Sequence, residues 1–200
     1  MDQIIRPITK QDIPQVVRTM ADSFRQEDLY IYFLADEGQR AAFLEKFMLF
    51  RLKFGMKYGT VLVTNDCQGV AVFLPPENKM KPKDLLLLGG ASAIMSCDKE
   101  ARQRIMNFNN YADEACAACI QAPHWHISPI CVSPAFQGKG YGSALMAYGN
   151  EHVITPGTPC FLETQSAKNE GFYIKFGFVK QSSTTVPNST LPHITMVRPG

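Results

Sequence analysis

The chain carries almost no net charge. Twenty Lys and Arg stand against 18 Asp and Glu over 200 residues, a formal balance of +2, so there is no broad field to draw in a nucleic-acid backbone or an anionic membrane. It has no long apolar run either. The longest, 85–95, is interrupted by Gly89, Gly90 and Ser92 and falls short of the roughly 20 residues that a bilayer-spanning helix needs. The first residues, Met1-Asp2-Gln3-Ile4-Ile5-Arg6-Pro7, lack the basic segment, apolar stretch and small-residue cleavage site of a secretory signal. The expectation is a cytoplasmic protein that touches neither membrane nor nucleic acid; the sequence says nothing of its oligomeric state. The six cysteines form no metal pattern, because Cys116-Ala-Ala-Cys119 is followed by no second C-x-x-C and no H-x-x-x-H. They read as thiols in a reducing compartment, and no metal is expected. What the chain does have is 46% hydrophobic against 19% charged residues, enough to bury a core without staples, which excludes a wholly disordered protein.

Hydrophobic spacing predicts a strand over 4–8, then a helix bearing Ile13, Val16, Val17, Met20 and Phe24, capped by the hydroxyl and carboxylate of 9–12. A second helix over 41–58 sets Phe43, Phe47, Phe50 and Phe54 on one face beside Leu44, which reads as core. Strands over 61–64 and 70–74 flank a turn-rich link of hairpin length. Helices are expected over 85–95 and 99–120, so that 77–123 forms a helical insertion; its Lys79, Lys81 and Lys83 read as a solvated loop. The order then becomes strand 125–132, helix 138–154, strand 160–164, helix 168–176 and strands 178–181 and 194–197. That alternation predicts one α/β (α+β) domain over 1–200, with a mixed central sheet flanked by helices.

The chemistry is concentrated in Val132-Ser133-Pro134-Ala135-Phe136-Gln137-Gly138-Lys139-Gly140-Tyr141-Gly142-Ser143. This segment leaves a strand, turns through three glycines and enters a helix. A helix start offers unpaired backbone N–H groups and a partial positive charge, and glycines let an anion come close to them, so the segment reads as a phosphate cradle. A Walker A loop is excluded because Gly140 stands where the Ser/Thr after the lysine belongs. The dinucleotide fingerprint G-x-G-x-x-G comes nearer, with Ser143 at its third glycine and Glu163 downstream. It requires an intact parallel βαβ pair, however, and Pro129 removes a ladder donor from the strand feeding the loop.

Gln137-Gly138-Lys139-Gly140-Tyr141-Gly142 resembles the Q/R-x-x-G-x-G/A signature of the GNAT superfamily of acyl-CoA-dependent N-acetyltransferases. Asn169, Tyr173 and Gly177-Phe178 are similar to its downstream N-x-x-x-Y-x-x-x-G-F pattern. Asp12-Ile13-Pro14, Val132-Ser133-Pro134, Phe161-Leu162-Glu163-Thr164 and Arg198-Pro199-Gly200 resemble the puromycin N-acetyltransferase branch.

The resemblance implies a single GNAT-like domain that binds acetyl-CoA through Gln137, Gly138, Lys139, Gly140, Tyr141, Gly142 and Ser143. It implies too that the strand bearing Ile130, Cys131 and Val132 parts from its neighbour and offers free backbone groups to the pantetheine arm. In the same family pattern Asn169 holds the cofactor arm and Tyr173 protonates the leaving thiolate. For the base that deprotonates the amine, Glu163 at a strand end is the first candidate and His126 the second. His124 alternates with His126 on one strand face, a departure from that branch, and is placed with the acceptor, as are Tyr30 and Tyr32, with Asp36 beside them. The implied activity is acetyl transfer from acetyl-CoA to a primary amine of a small molecule by direct attack in a ternary complex. A non-catalytic acyl-CoA-binding module and a dinucleotide-dependent oxidoreductase are the alternatives.

Overall fold

A computed structural model describes residues 4–77 and 80–200. Seven strands form one mixed sheet: β1 (Ile5–Pro7), β2 (Thr60–Thr64), β3 (Gly69–Leu74), β4 (Trp125–Val132), β5 (Cys160–Thr164), β6 (Val179–Thr185) and β7 (Pro192–Arg198). Their spatial order is β1-β2-β3-β4-β5-β7-β6, with β4 and β5 parallel and every other neighbouring pair antiparallel. The helices are α1 (Ile13–Phe24), α2 (Asp28–Phe33), α3 (Glu37–Tyr58), α4 (Pro82–Leu87), α5 (Gly90–Met95), α6 (Lys99–Cys119), α7 (Tyr141–His152) and α8 (Glu170–Ile174). None among the described residues is long and apolar enough to cross a membrane.

Both faces of the sheet are covered, and strand alternation divides the core between them. Val61, Val63, Val70 and Val72 pack with Val16, Met20, Leu44, Phe47 and Phe50 under α1 and α3. Leu62, Ala71, Phe73, Ile127, Leu162, Ile194 and Met196 pack with Leu145, Met146 and Tyr173 under α7 and α8. The aromatic stripe of α3 is buried throughout, with Phe43, Phe47, Phe50 and Phe54 all 8% exposed or less. Gly149 is required for close approach, since a Cβ there would run into the Phe73 ring.

Three segments differ from the sequence expectation. Asp28–Phe33 is a short helix, α2, rather than part of an inter-helix loop. The run 85–95 is two helices, because Gly89 adopts φ +95° and ends the first. The helix expected from 138 begins at Tyr141, after Gly138 (φ +74°) and Gly140 (φ +85°) have turned the chain. Of the clustered Lys79, Lys81 and Lys83, Lys79 lies outside the described residues, and Lys81 is the residue preceding α4.

Candidate active site

β4 is the axis of the site. On one side it pairs with β3 over most of its length, yet with β5 it pairs only at Trp125↔Cys160 and His126↔Phe161. Beyond these two rungs the parallel strands separate. The β3 register slips here as well: Ile127 faces Phe73 while Ile130 faces Ala71, three steps on β4 against two on β3. One extra residue, in the Ser128-Pro129 region, inverts the alternation. Ile130 therefore packs towards α7, and Cys131 turns to the α1 face.

The same register decides which backbone groups are free. Ser133 N–H donates to Gln68 carbonyl at 2.8 Å, and antiparallel pairs exchange bonds at every second residue. Cys131 opposite Val70 thus spends its backbone groups on β3, while Ile130 and Val132 turn theirs into the gap beside β5. Val132 carbonyl accepts there from the Gln137 side chain at 3.2 Å.

The Gly-rich loop meets the gap at its far end. α7 makes its first turn with Ala144 N–H bonding to Gly140 carbonyl at 2.9 Å, so the amides of Tyr141, Gly142 and Ser143 have no acceptor within the helix. A Cβ on Gly138 or Gly140 would meet nothing within 4 Å; both need glycine for their positive φ, and the space above them is open. Lys139 turns away, with Nζ donating to Ala135 carbonyl at 2.9 Å and lying 5.0 Å from the centre of the Phe136 ring.

A cavity of about 640 Å³ runs from this loop along the gap to α1, α2 and α3. Ile130, Cys131, Val132, Gln137, Gly138, Gly140, Tyr141, Gly142, Ser143, Asn169, Tyr173, Glu163 and Tyr30 all line it, so most of the sequence candidates converge. Asn169 Nδ2 donates to Thr164 Oγ1 at 3.2 Å. Tyr173 is 7% exposed, and burial pushes its phenol well above the usual range. Burial also lifts Tyr30 to about 12 against the pull of Arg51, and Cys131 to about 12.

Glu163 is the distinctive group. Burial raises its carboxyl to about 7; Arg51 opposes that rise and Asp113 adds to it. Its Oε2 lies 3.4 Å from His193 Nε2. His193 is fully buried on β7, its Nδ1 faces Gln165 Nε2 at 3.1 Å, and burial drops it to about 4. With the Gln165 amide donating to Nδ1, the ring proton sits on Nε2 and faces the carboxyl. The pair is neutral around pH 5 to 6.

Other candidates fall elsewhere. His126 lies on β4 but His124 precedes it, so the two do not alternate along the strand; both rings pack on Phe161, at 5.1 and 5.8 Å between centroids, and neither lines the cavity. Burial drops His126 to about 3, and its Nε2 is enclosed without a hydrogen-bond partner. His124 is held by Ala122 carbonyl at 2.8 Å and lies 3.6 Å from Cys116 Sγ. Tyr32 donates to Pro187 carbonyl at 3.2 Å and lines a separate, open depression with Asp28 and Leu191. Asp36 caps α3 by accepting from Gln39 N–H at 2.8 Å.

Glu27, Arg51, Phe108 and His193 enter the site unannounced by any motif. Glu27, Arg51 and Phe108 line the cavity, and burial, with Asp28 nearby, raises the Glu27 carboxyl. Only His193 left a trace in the sequence: it stands at even spacing with Thr195 on the strand that ends the chain, on the face opposite Ile194 and Met196. Among the described residues no group of three or more His, Cys, Asp or Glu is placed to hold a metal ion.

A dinucleotide fold of the βαβ type needs a continuous parallel pair at this loop, and β4 and β5 do not supply one. Comparison with known proteins points the other way. Residues 93–180 match the family described as the Acetyltransferase (GNAT) domain. A Corynebacterium glutamicum structure described as histone acetyltransferase HPA2 and related acetyltransferase superposes with a TM-score of 0.68 at 20% identity, over 100% of this chain and 97% of that one. A Drosophila melanogaster polyamine N-acetyltransferase gives 0.59 at 13% identity, over 100% of both chains. A GCN5-related N-acetyltransferase from Rhodopseudomonas palustris gives 0.56 at 14%, over 100% and 97%. The chain thus has the GNAT fold, and its stretch from 93 to 180 matches the acetyltransferase domain of that family.

Proposed function

We propose that this protein, acting as one unit over 1–200, transfers the acetyl group of acetyl-CoA to the primary amine of a small molecule by direct attack in a ternary complex. The observation that carries the reading is the parting of β4 from β5 beside a helix start with free amides, with one cavity joining the two. The amides of Gly138, Gly140, Tyr141, Gly142 and Ser143 fit a diphosphate, because a glycine-lined concavity at a helix start brings several donors and a partial positive charge to one anion. The backbone groups of Ile130 and the N–H of Val132, turned away from β3, fit an amide-bearing arm laid along the strand, and Asn169 can hold its far side. When bound, acetyl-CoA supplies an activated thioester carbonyl.

This chain's residues do the rest. An N–H of β4 directed at that carbonyl stabilises the charge that develops on its oxygen, worth about 3 kcal/mol of barrier for one well-placed donor. Glu163 takes the proton from the acceptor's ammonium. A carboxyl titrating near 7 is about half ionised in neutral solution and is a far better base than an exposed glutamate. Tyr173 keeps its proton throughout the working pH range and presents it to the departing sulfur. The burial that holds the proton also makes the phenol a weaker acid, so it acts mainly as a hydrogen bond to growing negative charge. Side chains of α1, α2, α3 and α6 wall the acceptor end. The motif likeness to the puromycin N-acetyltransferase branch and the polyamine N-acetyltransferase neighbour support an amine acceptor.

Calorimetry with acetyl-CoA, paired with thiol release across a panel of amines, tests the reading. Saturable binding that Gly140→Asp abolishes, together with turnover of at least one amine, is the expected result. Undiminished binding in Gly140→Asp would locate the diphosphate elsewhere, and binding without any turnover would leave a carrier rather than an enzyme.

A further inference from the structure

Arg51 has no role in the scheme above. It projects from α3 into the cavity at the point where β4 bulges, its Nη2 donates to Ser128 Oγ, and its guanidinium lies 6.0 Å from the centre of the Phe47 ring. Among the described residues it forms no ion pair. A guanidinium offers five donors in a flat fork, and one of these is spent on an uncharged hydroxyl. A half-buried cation without a counter-ion, held in place by Ser128 and facing a cavity, is set to receive an anion from outside the chain.

The surroundings limit which anion. The diphosphate cradle is at the Gly138–Gly142 end, whereas the neighbours of Arg51 belong to the acceptor end: Tyr30, Glu163 and Ser128. Glu163 is close enough for Arg51 to bias its titration, yet is not in contact with it. The acceptor end thus presents the Arg51 cation and the proton-accepting Glu163 carboxylate, separated from each other, with Phe24, Leu29, Tyr30 and Phe108 around them and the Glu27 carboxyl on the same wall. A molecule bearing an amine and a carboxylate on a short apolar frame complements both charges at once.

Resting on the acetyltransferase reading, we infer that the acceptor is an amino carboxylic acid with an apolar side chain, its carboxylate held by Arg51 and its amine directed at Glu163. A plain alkylamine or a polyamine would leave Arg51 facing uncompensated positive charge, which the pocket disfavours.

The test uses L-leucine, L-methionine and L-phenylalanine against their decarboxylated counterparts, 3-methylbutylamine, 3-(methylthio)propylamine and 2-phenylethylamine, which retain a strongly basic amine. Each is titrated calorimetrically into the wild-type chain, with and without coenzyme A, which cannot acetylate. Acetyl transfer from acetyl-CoA to each is measured separately. At least one amino acid is expected to bind about 30-fold more tightly than its amine, the effect of one charge-assisted bidentate contact. Arg51→Gln should erase that ratio while the affinities for the amine and for coenzyme A hold within about threefold, and Arg51→Lys should restore part of it. Equal binding of acid and amine by the wild type overturns the inference. So does an Arg51→Gln chain that keeps its preference, or one that loses coenzyme A affinity instead, which would assign Arg51 to the cosubstrate. Carboxylate preference without acetyl transfer would sink the enzyme reading alone; transfer without that preference would sink this inference alone.

Discussion

At Glu163 the proposed mechanism ties burial to rate. Its pKa near 7 arises first from desolvation, with Asp113 adding to the rise and Arg51 resisting it; His193, also facing it, is neutral above about 4. On the proposed mechanism Glu163 acts as base only when ionised, so kcat/KM should climb as pH rises through about 7 and level off above. Glu163→Gln should remove that limb and lower kcat/KM at neutral pH by about 100-fold or more; a pH–rate profile of both chains checks this. Tyr173→Phe should behave differently, lowering kcat with coenzyme A affinity little changed, because the lost hydrogen bond matters only as charge builds on sulfur. A variant with wild-type kcat would remove Tyr173 from the chemistry. Gly138 and Gly140 were legible from the sequence because their requirement is local: the backbone turns with positive φ at both. His193 was not, because its meaning comes from β5 lying beside β7, a pairing between residues about thirty apart along the chain.

At the scale of elements, the acceptor end depends on how the link between α1 and α3 is tied down. Arg40, 4% exposed on α3, donates from Nε to Arg25 carbonyl at 2.7 Å and from Nη1 to Leu34 and Ala35 carbonyls at 2.7 and 2.9 Å. It thereby clasps both ends of the segment that carries Glu27 and Tyr30. Arg40→Met should lower unfolding free energy by about 3 kcal/mol, since three carbonyls lose a charged donor inside the fold, and denaturant titration measures it. The same variant should raise KM for the amine more than that for acetyl-CoA, because the clasp lies away from the Gly-rich loop. The elements that could be read in advance were those with one uniform pattern. The valine alternation of β2 and β3, the phenylalanine stripe of α3 and the apolar run of β5 each contain their own answer. α2 did not, because Asp28-Leu29-Tyr30-Ile31-Tyr32-Phe33 is rich in residues that favour strands, and packing against α3 and α6 turns it into a helix. β6 extends beyond its expected end because Ser182, Ser183 and Thr184 pair along β7 without an apolar face of their own.

For the whole molecule, the Glu163–His193 pair gives stability a pH dependence in which two opposite effects meet. Glu163 is raised from 4.5 in the unfolded chain to about 7, so its contribution is fully present below 4.5 and is lost as pH rises through 7. His193 is depressed from 6.5 to about 4, so its contribution is present above 6.5 and is lost as pH falls through 4. Between about 4.5 and 6.5 the two slopes cancel: the unfolded pair carries one proton on histidine, and the folded pair carries one on the carboxyl. His193→Gln leaves the carboxyl alone. Its unfolding free energy should therefore fall with rising pH across that window, by about 1.4 kcal/mol per pH unit relative to the wild type. Parallel denaturation series at several pH values measure the difference, and equal slopes would mean that folding does not shift the two groups in opposite directions.

The parting of β4 from β5 has one more consequence. A strand bonded on one side only is normally found at the rim of a sheet, where it invites foreign chains; here that half-satisfied edge is sheltered at the centre, between α1 and α7. Deuterium uptake along β4 should therefore alternate. The amide of Cys131, bonded across to β3, should exchange slowly, while those of Ile130 and Val132 on either side should exchange fast until a ligand closes over them.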